Sequence, residues 1–65
     1  MNIQLNGKSQ ATSASTLEQL LVEAGFGSKA IATAVNGSFV PLALRDTYEL
    51  GNGDQIEILA PMQGG

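Results

Sequence analysis

Hydrophobic and polar residues alternate over residues 1–5, with Met1, Ile3 and Leu5 on one side and Asn2 and Gln4 on the other. A period of two is that of a half-buried strand. Asn6-Gly7 follows at once. Both residue types tolerate positive φ, which a tight hairpin turn demands. Residues 8–12 are then the returning strand, and their weak strand composition places it at an edge. The period changes after Ser13. Leu17, Leu20, Leu21 and Ala24 recur at helical spacing, while Glu18, Gln19 and Glu23 fall on the wet side. Ser15 followed three places on by Glu18 predicts a capping box, and Gly25 stands where a left-handed C-terminal cap belongs. The helix is expected from about Thr16 to about Ala24, with Gly27 loosening its exit. Residues 30–35 read as a strand with Ile31, Thr33 and Val35 on one face and alanines on the other. Asn36-Gly37 repeats the hairpin signal, and Ser38–Val40 returns until Pro41 ends the ladder. Leu42 to Leu50 is a connection of weak periodicity, and Gly51-Asn52-Gly53-Asp54 is a tight turn. Residues 55–60 alternate again, with Ile56 and Ile58 inward and Glu57 and Leu59 outward.

Two hairpins thus bracket one amphipathic helix, and a further strand closes the series. The economical packing is α+β: a mixed sheet of four to five strands with one helix packed across one face. This is the β-grasp, or ubiquitin-like, arrangement. In it the first and last strands lie side by side and parallel in the middle of the sheet. Residues 1–60 are expected to form this domain and residues 61–65 a flexible tail ending Gly-Gly.

Composition narrows the chemistry. Sixty-five residues make one small domain with a marginal core. The chain has no cysteine, so disulfides, zinc-thiolate sites, iron–sulfur clusters and a thiol nucleophile are excluded. It has no histidine, the commonest general base and metal ligand. Three basic residues against six acidic ones give a net charge of −3, too few cations for a nucleic-acid footprint. MNIQLNGK is not a signal peptide, and no segment reaches the ~20 apolar residues of a membrane span. A folded, cytoplasmic protein that meets other proteins is the expectation. Asp54 reads as a turn residue bonding its own backbone, Asp46 beside Arg45 as a solvated pair, Glu18 as part of the cap and Glu57 as wet-face. None of these makes a metal cluster or an acid–base pair.

Pro61-Met62-Gln63-Gly64-Gly65 follows the last strand. Glycine presents no Cβ and accepts any backbone angle, so a terminal Gly-Gly suits a carboxylate that must enter another protein's active site. Five extended residues reach roughly 17 Å. Ordering each costs ~1–2 kcal/mol, so the folded body must supply the docking energy. A free α-carboxylate is a poor electrophile until activated, and this chain has no phosphate loop of the GxxxxGK[ST] kind to activate it. The chain is therefore expected to be a carrier or co-substrate and not an enzyme.

LNGK near the start, AVNG-x-x-VP in the middle, NGDQIEIL near the end and the closing Gly-Gly resemble the ThiS family, the sulfur carrier proteins of thiamine biosynthesis. The resemblance spans the chain. It implies that an E1-like adenylyltransferase uses ATP to activate the Gly65 carboxylate, while this chain binds no cofactor itself. A cysteine-derived sulfur donor would then convert Gly65 to a thiocarboxylate, and thiazole synthase would take the sulfur. Gly64, Gln63 and Met62 would thread the partner's channel. In ubiquitin-like proteins the sheet face away from the helix is the usual partner surface, which makes Leu59, Ala34 and Ala32 the docking candidates. The free chain would be a monomer. The alternatives are the small subunit of molybdopterin synthase, a ubiquitin-like protein modifier, and a β-grasp interaction module with an inert tail.

Overall fold

The computed structural model describes residues 1–26 and 30–60. Among these residues are five strands and one α-helix, in the order β1 (Asn2–Leu5), β2 (Lys8–Ala11), α1 (Leu17–Glu23), β3 (Ala32–Val35), β4 (Ser38–Val40) and β5 (Gln55–Leu59), with a 3-10 turn over Leu42–Leu44 between β4 and β5. The strands form a single sheet in the order β2-β1-β5-β3-β4. The β1–β2, β3–β4 and β3–β5 pairs are antiparallel, whereas β1 and β5 run parallel. The mixed β-grasp sheet and the edge position of β2 are as the pattern predicts.

Both hairpins rest on their Asn-Gly pairs. Asn6 and Asn36 sit at φ 50° and 52°, and Gly7 and Gly37 at 84° and 85°. Positive φ at both central residues gives the turn whose twist matches the strands it joins. The asparagine side chains then extend the pairing. Asn6 Oδ1 accepts from the Ile58 amide at 2.8 Å, just beyond the point where β1 stops pairing with β5. Asn36 Oδ1 accepts from the Gln55 amide at 3.0 Å, and its Nδ2 donates to Asp54 Oδ1 at 3.0 Å. Asp54 also holds its own turn, accepting from the Gly51 amide at 2.7 Å.

The helix starts one residue later than the predicted box. Thr16, not Ser15, is the N-cap, its hydroxyl accepting from the Gln19 amide at 3.2 Å. Gln19 and not Glu18 reaches back, its Oε1 accepting from the Ser15 amide at 2.8 Å. The box is thus Thr16 with Gln19. Two further amides of the first turn find acceptors across the chain: Leu17 donates to the Tyr48 carbonyl at 2.9 Å and Glu18 to the Arg45 carbonyl at 3.0 Å. At the other end Gly25 takes φ 89°. Phe26 there donates to the Leu21 carbonyl and Gly25 to the Val22 carbonyl, the paired bonds of a Schellman motif. Gly27 lies outside the described residues.

Leu17, Leu20 and Leu21 of α1 are buried against Ile3, Val35, Val40, Ile56 and Ile58 of the sheet, with Ala14 and Leu50 completing the core. Burying each such side chain contributes about 1.5–3 kcal/mol before ordering costs. Met1 departs from the pattern: it shares the period of Ile3 but lies at the surface. A larger correction concerns Arg45. It is no solvated partner of Asp46 but is buried, 5% exposed. Its Nε donates to Thr33 Oγ1 at 3.0 Å and its Nη2 to the Ile31 carbonyl at 2.6 Å. Thr33, itself buried, passes the chain on by donating to the Val40 carbonyl at 2.8 Å. The 3-10 turn before Arg45 carries its side chain under β3, a path that periodicity could not reveal.

Candidate functional site

Strand alternation builds the face away from α1. In β5, Ile56 and Ile58 go to the core, so Glu57 and Leu59 face out. Register then sets their neighbours: Leu59 pairs with Ala32 and Glu57 with Ala34, and Ala34 pairs in turn with Phe39 of β4. The three docking candidates Leu59, Ala32 and Ala34 therefore share one face, as expected. Leu59 is 67% exposed and Ala32 is exposed, while Ala34 is half-buried. Alanines beside a protruding leucine leave a shallow apolar surface that a partner could cover without displacing bulk.

Sequence reasoning missed two parts of this surface. Phe39 is 67% exposed and extends the apolar row across β4. Its signal was available: Val40 points inward, so Phe39 must point out, and the Asn36-Gly37 turn sets it opposite Ala34. The second part is an open groove of about 530 Å³ at the end of the sheet where β5 finishes. Leu42 and Leu59 flank it, Ala60 lies at its margin, and Arg45 contributes to its lining. Leu42 is 72% exposed. The weak periodicity of residues 42–50 carried no hint that they approach the last strand.

One acidic residue of β5 lies on this face. It is Glu57, exposed, two residues before Leu59. Asp54 is engaged in its turn. Glu23, at the far side, accepts hydrogen bonds from the Thr12 and Ser13 hydroxyls. The Thr12 bond above all holds its carboxyl below the usual glutamate value, with Ser13 adding to it and partial desolvation opposing. No group of three metal-ligating side chains occurs among the described residues. Nor is any helix there long and apolar enough to cross a membrane. The tail residues Pro61, Met62, Gln63, Gly64 and Gly65 lie outside the described residues, so the site's geometry is that of its root at Leu59 and Ala60.

A search of the curated proteins finds no match. The profile of the ThiS family, by contrast, matches residues 3–65, nearly the entire chain and its closing Gly-Gly. The chain belongs to the ThiS family. ThiS proteins are small sulfur carriers, so the carrier reading holds at that level. Among solved structures, the crystal structure of the thiamine biosynthesis protein ThiS from Geobacter metallireducens superposes with a TM-score of 0.85 at 25% identity, covering 100% of both chains. The solution structure of a thiamine biosynthesis protein from the same organism gives 0.79 at 25% identity, covering 100% of this chain and 88% of that one. The sheet order and the single helix described above are thus the ThiS β-grasp fold.

Proposed function

We propose that this chain carries sulfur as a thiocarboxylate on Gly65 and delivers it to thiazole formation. The observation that carries the reading is the family match, which runs through Gly65 itself. An E1-like adenylyltransferase joins the Gly65 carboxylate to the α-phosphorus of ATP, and pyrophosphate leaves. A donor then brings cysteine-derived sulfur at the oxidation level of sulfide to the acyl carbon. The bond to the adenylate oxygen breaks, AMP departs and the thiocarboxylate remains. Thiazole synthase accepts that sulfur. Gly64, Gln63 and Met62 thread the partner's channel, and the face around Leu59, Ala32 and Ala34 docks the body. A group-transfer handle on a chain with no histidine and no cysteine leaves activation to the partners, which is why the reading is of a carrier and not a catalyst.

The test is the intact mass of the chain purified from cells that hold its native partners. A gain equal to sulfur replacing oxygen, lost when Gly65 is deleted, supports the reading. A heavier conjugate ending in an isopeptide bond points to a protein modifier. An unmodified mass, with deletion of Gly65 changing nothing, points to an interaction module. Thiazole auxotrophy on gene deletion with molybdoenzymes intact separates the thiazole pathway from molybdopterin synthesis.

A further inference from the structure

Arg45 is one of only three basic residues in a chain with six acidic ones, and it is buried. Buried charges are normally matched by an opposite charge, because desolvation without one is costly. Its acceptors among the described residues, the Thr33 hydroxyl and the Ile31 carbonyl, are both neutral. They orient the guanidinium without balancing it. The same residue lines the groove between Leu42 and Leu59 at the tail's root, so it borders open space on that side. A guanidinium has five N–H donors in a planar fork that fits a carboxylate, and these two bonds use only part of that fork.

We infer that the groove receives a carboxylate side chain of a partner enzyme, flanked by aliphatic side chains, with Arg45 as the cation that meets it. The identity of that partner as an enzyme rests on the carrier reading above; the chemistry of the groove does not. Leu42 and Leu59 are the exposed apolar walls that the aliphatic neighbours cover. Covering them removes water, which strengthens the attraction between the two charges. Glu57 fixes where the carboxylate sits. It lies two residues before Leu59 on the same face, about 7 Å along the strand. An acid set down on that side meets repulsion, whereas one at the Ala60 end meets Arg45. The partner is therefore read in one direction, and the tail leaves from the end where the charges match.

The probe is a blocked pentapeptide, Val-Leu-Glu-Leu-Val, titrated into the isotope-labelled full chain and followed by NMR, with the Gln-for-Glu peptide as its control. Expected are shifts at the Arg45 Nε–H and at the amides of Leu42, Leu59 and Ala60. The Gln peptide should bind at least roughly fivefold more weakly, since it forfeits a charge-assisted bond. Arg45→Ala removes bonds that hold β3 and is open to misfolding, so the matched variant is Leu59→Ser, at an exposed position. It should keep the spectrum of the fold and lose the peptide. Equal affinity for the two peptides, shifts confined elsewhere, no shifts, or groove signals that change only with the chain's own concentration would each overturn the inference, the last by making a second copy the occupant. The sulfur-dependent mass gain is read independently of this titration. Peptide binding without it leaves the groove standing and removes the carrier reading, and the reverse result does the opposite.

Discussion

Thr12, Ser13 and Glu23 form a small polar cluster where the chain leaves β2 for the helix. The carboxylate of Glu23 is held below its ordinary pKa of 4.5, chiefly by the Thr12 hydroxyl. A carboxyl whose folded pKa is depressed contributes stability that is present above the unfolded value. That stability is lost as pH falls through the folded value. The contribution of Glu23 should therefore disappear only in acid below about 4.5. Thr12→Val should move its titration midpoint up toward the ordinary value, as read from the side-chain carboxyl carbon by NMR. A midpoint unchanged in the variant would assign the shift to another cause. At this scale the chain was readable where a residue's role is local. Asp54 in its turn and the positive φ of Asn6 and Asn36 followed from neighbours in sequence. Arg45 was not readable, because its acceptors lie twelve and fourteen residues away and only the folded sheet brings them under its side chain.

The elements show the same boundary between local and distant causes. Ser15 with Glu18 and Thr16 with Gln19 both satisfy the capping pattern, and the leucine stripe is compatible with either. The tie is broken by residues 45–49. Thr16 bridges to Glu49, and the Tyr48 and Arg45 carbonyls accept from the first helical amides. Such orphan amides need acceptors, and here a segment 27 to 31 positions downstream supplies two of them. Thr16→Ala should accordingly cost about 1 kcal/mol of stability in urea denaturation, and Ser15→Ala only a small fraction of that. Equal costs would contradict the assigned N-cap. The strands were easier, since a period of two bounded by Asn-Gly pairs fixes both hairpins and their inward faces. The face holding Leu59, Ala32 and Ala34 follows from that period alone. The groove beside it does not, because Leu42 and Arg45 reach it from a connection with no period.

For the molecule as a whole, the core and the apolar face should respond in opposite ways to truncation. Leu20 is fully buried beneath the sheet. Leu20→Ala should cost about 2–5 kcal/mol. A domain of this size has only about 3–10 kcal/mol in total, so thermal denaturation should find the variant unfolding far below the wild type. Leu59→Ser should change stability by no more than about 0.5 kcal/mol. A large loss there would mean that Leu59 belongs to the core and not to a docking face. The position of β5 has a mechanical consequence. The strand is held by β1 on one side and β3 on the other, and Asn6 adds a side-chain bond to Ile58 near its exit. An enzyme that grips the end of the chain and tugs along it loads these bonds together, in shear. They must rupture as a set and cannot unzip singly, so the body stays intact while its last residues are under tension.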